Sequence, residues 1–345
     1  MAKTKWKNNN VLKEKSVDIP EELKENIDKL LKENQIHKIL EDAQTVSNRY
    51  RNNDGKGKKL LTKESEAVSY AISRMPATYA AVSSVLEQTL DNYNEDLTSV
   101  IDVGAGTGAV VWAVNDVATS NAIKCFEREE SMINIGKKLM KNTDLNDVRW
   151  KRFDILQDEI QEKADLVITS YMINELPKGD REKAVEKLWN ATNKLLVIIE
   201  PGTPAGFANI LKIRRNLLKS GGYIVAPCCC LHECPIPKDD WCAFYARVAR
   251  SSVHRHAKNG SLGYEDEKFS YIAFSKVAVN NSGERILRHP KINSGYVNVK
   301  VCSANGIEEK TYSKKDKEIY KKVRKMDAGQ KLCQNSQFSK NKFRK

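Results

Sequence analysis

The stretch that most constrains this chain is Ser99-Val100-Ile101-Asp102-Val103-Gly104-Ala105-Gly106-Thr107-Gly108. Residues 100–103 form a short apolar run, which predicts a buried parallel strand. Three glycines at alternate positions follow, and residues 109–114 open a helix. Glycine lets the chain turn sharply and lets a ligand approach the backbone. The new helix presents unpaired N–H groups at its start. Asp102 stands at the carboxyl end of the strand, beside the turn. A P-loop is excluded, because no Lys-Ser/Thr pair follows the last glycine. An ordinary strand-to-helix turn is the plain alternative, and the chain downstream argues against it.

Further strands are predicted over 122–126, 148–153, 164–170, 195–199 and 223–226, with helices over 131–141, 181–191 and 206–219. This alternation predicts an α/β fold built on a doubly wound, mostly parallel sheet. Ligands in such sheets bind beyond the carboxyl ends of the strands, near the switch point. Glu127 lies 25 residues after Asp102, at the end of the second strand. A carboxylate there can hydrogen-bond the ribose hydroxyls of an adenosine cofactor, whether methyl donor or dinucleotide. Upstream, Leu23, Ile27, Leu30, Leu31 and Ile36 recur at helical spacing, and two more helical stretches follow before residue 95. Residues 1–95 are expected to be a helical extension and 96–226 the sheet domain. After Pro227 the rhythm breaks. A Cys-rich stretch leads to an expected helix over 244–255, strands over 269–275 and 296–302, and a Lys-rich helix over 313–326. Residues 227–330 therefore read as a Cys-rich, metal-binding α+β region, and 331–345 as a basic disordered tail.

Charge and cysteines narrow the partners. The formal net charge is +13, and residues 306–345 carry 13 Lys/Arg against 5 Asp/Glu. Such a tail fits a polyanion, nucleic acid first, with contacts from the Lys-rich helix, Arg247, Arg250 and Arg255. A merely solubilising tail is the alternative. Five of the eight cysteines fall between Cys228 and Cys242. With no apolar signal segment at the start, clustered thiols point to metal before disulfides. Cys228, Cys234 and Cys242 from one loop, with Cys302 from a later strand, can close a four-thiolate cage around zinc or an iron–sulfur cluster. A metal-free buried thiol group is the third option. Cys229 and Cys230 are too close to Cys228 to serve easily beside it. Cys125 reads as a core residue and Cys333 as a tail thiol. No apolar run is long enough to span a membrane, and a monomer is expected.

The sequence Asp102-Val103-Gly104-Ala105-Gly106-Thr107-Gly108 after a strand resembles motif I of class I S-adenosylmethionine-dependent methyltransferases. A more specific resemblance rests on Arg74-Met75-Pro76-Ala77-Thr78-Tyr79, Asn174-Glu175-Leu176, Glu200-Pro201-Gly202-Thr203-Pro204, Ala226-Pro227-Cys228, Asp240-Trp241-Cys242 and Tyr264-Glu265-Asp266-Glu267-Lys268-Phe269-Ser270-Tyr271, together and in order. These resemble the methyltransferase-like family associated with the mitochondrial small ribosomal subunit, which also has bacterial-type members. The likeness covers about residues 65–326. It implies a class I, Rossmann-like fold and S-adenosylmethionine bound at Asp102, Gly104, Gly106, Thr107, Gly108 and Glu127. It places Asp154 near the adenine amino group and Ser170 at the cofactor's edge. It also implies small-subunit rRNA and the small ribosomal subunit as partners, and it favours a [4Fe–4S] cluster over zinc. The chain departs from many relatives where Cys229 and Cys230 stand in place of a histidine soon after the first cysteine.

The segment after the fourth strand, where the superfamily places the methyl acceptor, lacks the Asn/Asp-Pro-Pro-aromatic motif of many amino-methylating enzymes. Asn174 and Glu175 are candidates for substrate contact there, and a turn role for Asn174 is equally open. Three functions compete: an rRNA methyltransferase, a non-catalytic assembly factor that keeps the cofactor fold, and a small-molecule methyltransferase, which the basic tail disfavours. A cytoplasmic chain is expected, or a mitochondrial one in a eukaryote, because the start is followed by acidic residues unlike a transit peptide.

Overall fold

The computed structural model describes residues 16–52, 61, 63–117, 122–250 and 263–332. Four helices open it: α1 (Glu21–Lys32), α2 (Ile36–Asn52), α3 (Glu64–Ser73) and α4 (Met75–Leu90). The sheet domain then alternates β1 (Ser99–Val103), α5 (Ala109–Val117), β2 (Ala122–Glu127), α6 (Glu130–Met140), β3 (Arg149–Arg152), β4 (Ala164–Ser170), the single turn α7 (Met172–Glu175), α8 (Arg181–Ala191), β5 (Thr192–Pro201), α9 (Pro204–Lys219) and β6 (Tyr223–Ala226). Two further strands follow, β7 (Phe244–Ala249) and the twelve-residue β8 (Tyr264–Ser275). The described residues end with β9 (Glu284–Ile286), β10 (Lys291–Ile292), β11 (Tyr296–Ser303), β12 (Gly306–Ser313), α10 (Lys317–Val323) and β13 (Lys331–Leu332).

The first sheet runs β3-β2-β1-β4-β5-β8-β6, with β7 hydrogen-bonded to β8. Strands β1 to β5 are parallel neighbours, and β8 is antiparallel to β5, β6 and β7. Strands buried on both faces need apolar residues at every position, and alternate residues then feed two cores. Val100, Leu166, Ile168, Val197 and Ile199 face one core with α4, α5 and α6. Ile101, Val103, Val167, Leu196 and Ile198 face the other, with α8 and α9. Helix α9 is started by Thr203, whose Oγ1 accepts from the Gly206 N–H at 3.1 Å, with Pro204 in the first turn. The chain order reverses between β1 and β4, so a crevice opens beyond their carboxyl ends. Helices α1 and α3 pack against α6, and α4 lies across α5, β7 and β8. The N-terminal helices therefore roof that crevice.

The second sheet, β10-β11-β9-β13 with β12 on β11, has its own core of Ile286, Val297, Val299, Val301, Tyr320, Val323 and Leu332. The region after Pro227 is thus divided, with β7 and β8 joining the first sheet and β9 onward forming the second.

Several expected elements differ. The helix expected over 244–255 is strand β7. Phe244, Ala246 and Val248 are buried while Tyr245 and Arg247 are half-buried, a period of two that antiparallel pairing with β8 selects over helix. Ile36 begins the separate helix α2. The Lys-rich helix is only Lys317–Val323, because Ser313 ends β12 and caps a separate 3-10 turn over Lys314–Asp316. The expected disordered tail begins instead with strand β13, whose Leu332 is 1% exposed in the second core. Residues 333–345, with Cys333, and Arg255 lie outside the described residues.

Candidate functional site

The glycine-rich turn is held to the end of β2. Gly104 N–H and Ala105 N–H both donate to the Phe126 carbonyl, at 2.8 and 3.2 Å. Gly104, Gly106 and Gly108 have φ of +75°, +56° and +88°, the left-handed region that disfavours any side chain. Gly104 and Gly108 are glycine for a further reason of space. A Cβ on Gly104 would meet Met172 Cγ at 2.7 Å, and one on Gly108 would strike Met140. A Cβ on Gly106 would meet nothing closer than the Tyr70 ring at 3.9 Å, and would project into open space.

That space is a cavity of about 760 Å³ beyond the carboxyl ends of β1, β2 and β4. Gly104, Gly106, Glu127, Asp154, Ser170, Asn174 and Glu175 line it. Glu127, 8% exposed, is fixed by two backbone donors: Gly106 N–H to Oε2 at 2.7 Å and Glu129 N–H to Oε1 at 2.8 Å. Burial raises its carboxyl, and these two donors oppose the rise. With the Arg128 N–H as a third backbone donor, the carboxylate keeps a lone pair for a further donor. Asp154 Oδ1 accepts from the Leu156 N–H at 3.0 Å, and Phe153 and Ile155 provide apolar wall on either side of it.

The structure withholds three expected residues from the cavity wall. Asp102 is fully buried behind the strand end, neither carboxyl oxygen has a hydrogen-bond partner, and burial with the nearby Glu127 pushes its carboxyl well up. Thr107 is 1% exposed, and Gly108 faces Met140 and Trp150. These three stand behind the cavity wall. Cys125 is buried beside Asp102, as a core residue.

At the far end of the cavity, Asn174 is tied at its backbone: its N–H donates to Glu200 Oε1 at 3.1 Å and its carbonyl accepts from Arg181 Nη2 at 2.9 Å. Glu200 also accepts from Asn209 Nδ2 at 2.7 Å, and burial raises its carboxyl to about 7. Glu175 is raised to about 8, by burial first and by the charge of Glu127 second, with Arg128 opposing. Sequence reasoning assigned no role to Tyr70, Arg74, Tyr171, Glu265 and Glu267, which also line this end. Arg74 Nη2 stands 3.4 Å from Glu267 Oε1. Tyr171 has φ +62°, an uncommon backbone for an aromatic residue. The signal for these residues was present in Arg74-Met75-Pro76 and Tyr264-Glu265-Asp266-Glu267, which marked a family and carried no chemistry alone.

The cysteines meet elsewhere. Cys228, Cys230, Cys234, Cys242 and Cys302 line a second cavity of about 30 Å³ with Tyr271, Arg214 and Arg285. Burial and the neighbouring thiols raise Cys228 to about 11 and Cys302 to about 12, while the Arg214 charge pulls Cys228 down. Cys229 Sγ donates to the Pro227 carbonyl and Cys230 Sγ to the Glu233 carbonyl, at 3.8 and 3.9 Å. Among the described residues, no three His, Cys, Asp or Glu stand close enough to hold an ion as they are placed. Closing thiols onto a metal requires their deprotonation, which metal binding itself drives. The expected phosphate contacts of Arg247 fare less well. Its guanidinium makes two bonds of 2.7 Å to Asp266 and lies 3.9 Å over the Tyr264 ring, so its fork is occupied. Arg250 faces Glu265 at 3.6 Å and lines the first cavity. No helix among the described residues is long and apolar enough to cross a membrane.

A mostly parallel sheet in this order, with a glycine turn after β1 and an acid at the end of β2, is the fold of class I methyltransferases. The family described as "Mitochondrial small ribosomal subunit Rsm22" matches residues 64–333, and the chain belongs to it. The human protein named "Ribosome assembly protein METTL17, mitochondrial" is 27% identical over 250 residues, 66% of this chain and 52% of that one, so the chain spans about half the length of this relative. Among solved structures, magnesium protoporphyrin IX methyltransferase from Synechocystis PCC 6803 overlaps 67% of this chain and 90% of its own at 14% identity and a TM-score of 0.38. Ribosomal protein L11 methylase from Lactobacillus delbrueckii subsp. bulgaricus overlaps 58% and 79% at 12% identity and a TM-score of 0.36. These overlaps are weak, and the fold assignment rests on strand order and family membership.

Proposed function

We propose that this protein binds S-adenosylmethionine in the larger cavity and acts as a methyltransferase-like factor on small-subunit rRNA during ribosome assembly or translation. The observation that carries the cofactor reading is the Gly106–Glu127 pair: a glycine whose missing side chain leaves the cavity open, bonded to a carboxylate with a spare lone pair. Glu127 would take the ribose hydroxyls, Asp154 the adenine amino group between Phe153 and Ile155, and Ser170 the cofactor's edge. Glu127 and Glu129 line the wall beside Glu175, whose ionised form a sulfonium cation favours. When bound, the cofactor supplies an electrophilic methyl group. Glu175 holds or releases a proton at its carboxyl at the acceptor end, and Asn174 presents its amide there.

The four thiols fit a metal centre by their chemistry and by sharing one cavity. We assign Cys228, Cys234, Cys242 and Cys302 to a [4Fe–4S] cluster, with a single zinc as the alternative. It would pin the Cys-rich loop and the second sheet to the methyltransferase domain. Anaerobically purified protein should be brown and carry about four irons per chain, whereas colourless protein with one zinc would overturn the cluster.

The non-catalytic reading is favoured by one observation: both backbone polar groups of Asn174 are spent on Glu200 and Arg181, a turn-holding role. The two readings separate in cells. A methylation map of small-subunit rRNA with and without the gene should show a site that disappears on deletion. It should return with the wild-type gene and not with Glu127→Ala. Normal methylation throughout, with assembly restored by Glu127→Ala, would establish the assembly factor. The work belongs wherever those small subunits are built, the cytoplasm of a bacterial-type cell or the mitochondrion of a eukaryote.

A further inference from the structure

Two arginines are enclosed in the wall of the cysteine cavity, and each keeps a polar hydrogen without an acceptor. Arg214, on α9, is 6% exposed; its Nη2 donates to the carbonyls of Cys230 and His232 at 2.7 and 2.5 Å, while Nε has no partner. Arg285, on β9, is 2% exposed; Nε donates to the Pro227 carbonyl at 3.0 Å and Nη1 to the Gly329 carbonyl at 2.7 Å, while Nη2 has no partner. The exposed Asp91 feels the Arg285 charge but makes no bond to it. Burying a cation without a bonded anion is expensive. Here two such cations border a space walled by cysteine thiols.

Among the described residues no carboxylate bonds either guanidinium, so the cavity is the place for a bonded anion. A divalent iron–sulfur core held by four thiolates carries a net double negative charge. Two guanidinium groups oppose it in sign and match it in magnitude, and sulfur accepts hydrogen bonds from N–H donors. The bonds already made point the same way. Pro227, Cys230 and His232 flank the ligand candidates Cys228 and Cys234, so the same guanidinium groups tether the loop that carries them.

Resting on the cluster reading above, we propose that Arg214 and Arg285 form a cationic clamp on the metal centre, fixing the ligand loop with their occupied N–H groups and donating the spare ones to its sulfur atoms. They are positioning residues, and their charge makes the centre easier to reduce, because reduction adds negative charge that they offset.

The test uses the full chain, purified anaerobically as wild type, Arg214→Gln and Arg285→Gln, with iron and sulfide content and a potentiometric titration for each. Each Gln variant should retain iron, and its reduced-to-oxidised ratio at a fixed applied potential should fall roughly tenfold, about 59 mV for a one-electron couple. Arg214→Lys and Arg285→Lys, which keep the charge, should shift less. A merely structural tether would leave the potential unmoved. Wild-type protein without iron would overturn the cluster reading and the clamp with it. Iron-loaded variants at the wild-type potential would overturn the clamp alone. If the Gln variants lose iron, the wild type still decides: with isotope-labelled arginine, pulsed EPR of the reduced centre should show a coupling from arginine nitrogen, and its absence would overturn the clamp.

Discussion

Glu127 enters the site with both oxygens held by backbone N–H groups, so little orientation remains to be lost on binding. Gly106 is the matching void. Gly106→Val would place a branched side chain in left-handed backbone and in the cavity; we expect it to fold less stably and to abolish S-adenosylmethionine binding by calorimetry. Undetectable binding by folded wild type at millimolar ligand would remove the cofactor reading. Glu175 adds a pH dependence. Its carboxyl is raised to about 8 and that of Glu200 to about 7, from an ordinary 4.5, so the folded state holds protons that the unfolded chain releases. The resulting stabilisation is full below pH 4.5 and is lost as pH rises through 7 to 8. The melting temperature of the ligand-free protein should therefore fall across that window. A cation beside Glu175 favours its ionised form, so ligand affinity should rise between pH 6 and 8.5, with proton release seen as buffer-dependent binding heat. Glu175→Gln should flatten both trends. Gly104, Gly106 and Glu127 were legible in sequence because backbone geometry and strand-end position demand those residue types. That Asp102 is buried behind the cavity wall was not legible, because a strand-end position does not say which side of the turn a carboxyl occupies.

Elements were legible where a single period dominates. The parallel strands β1, β2, β4 and β5 read directly as apolar runs, since burial on both faces leaves no competing pattern. Strand β7 did not, because Phe244-Tyr245-Ala246-Arg247-Val248 suits either period until β8 pairs with it. Strand β13 is two residues long, below what any pattern shows, and its place depends on pairing with β9. That placement has a measurable consequence. Leu332→Ala removes a fully enclosed side chain from the second core and should cost about 2–5 kcal/mol locally. Amide exchange in β9 and β11 should accelerate while β1 and β4 stay protected. Unchanged exchange in β9 would return Leu332 to the tail. The cysteine set was legible as a group but not as a geometry, because Cys302 reaches the loop cysteines only once β11 pairs with β9 and sets Cys302 opposite Arg285.

At the scale of the whole molecule the charge is segregated. The larger cavity is lined by glutamates, whereas the excess of cations lies toward the C-terminus. Lys314, Lys315, Lys317, Lys322 and Lys325 are exposed around α10, and 13 Lys/Arg against 5 Asp/Glu occupy residues 306–345. Arg247 is committed to Asp266, so the proposed rRNA contact is assigned to α10 and the basic residues that follow it in sequence. Each phosphate neutralised by a lysine releases a counterion, and the slope of log K against log salt falls by about 0.7–0.9 per contact removed. The informative truncation ends after Leu332, which keeps β13 in the second core and removes Lys340, Lys342, Arg344 and Lys345. For a single-stranded rRNA fragment the slope should lessen by up to about 3 units if all four cations contact phosphate. Lys317→Gln with Lys322→Gln should lessen it further and additively, because these residues lie on a different segment. Affinity for S-adenosylmethionine should stay constant through the series, since neither change touches the cavity. A truncated protein that keeps both its rRNA affinity and its slope would make the tail a solubiliser and leave α10 to carry the contact alone.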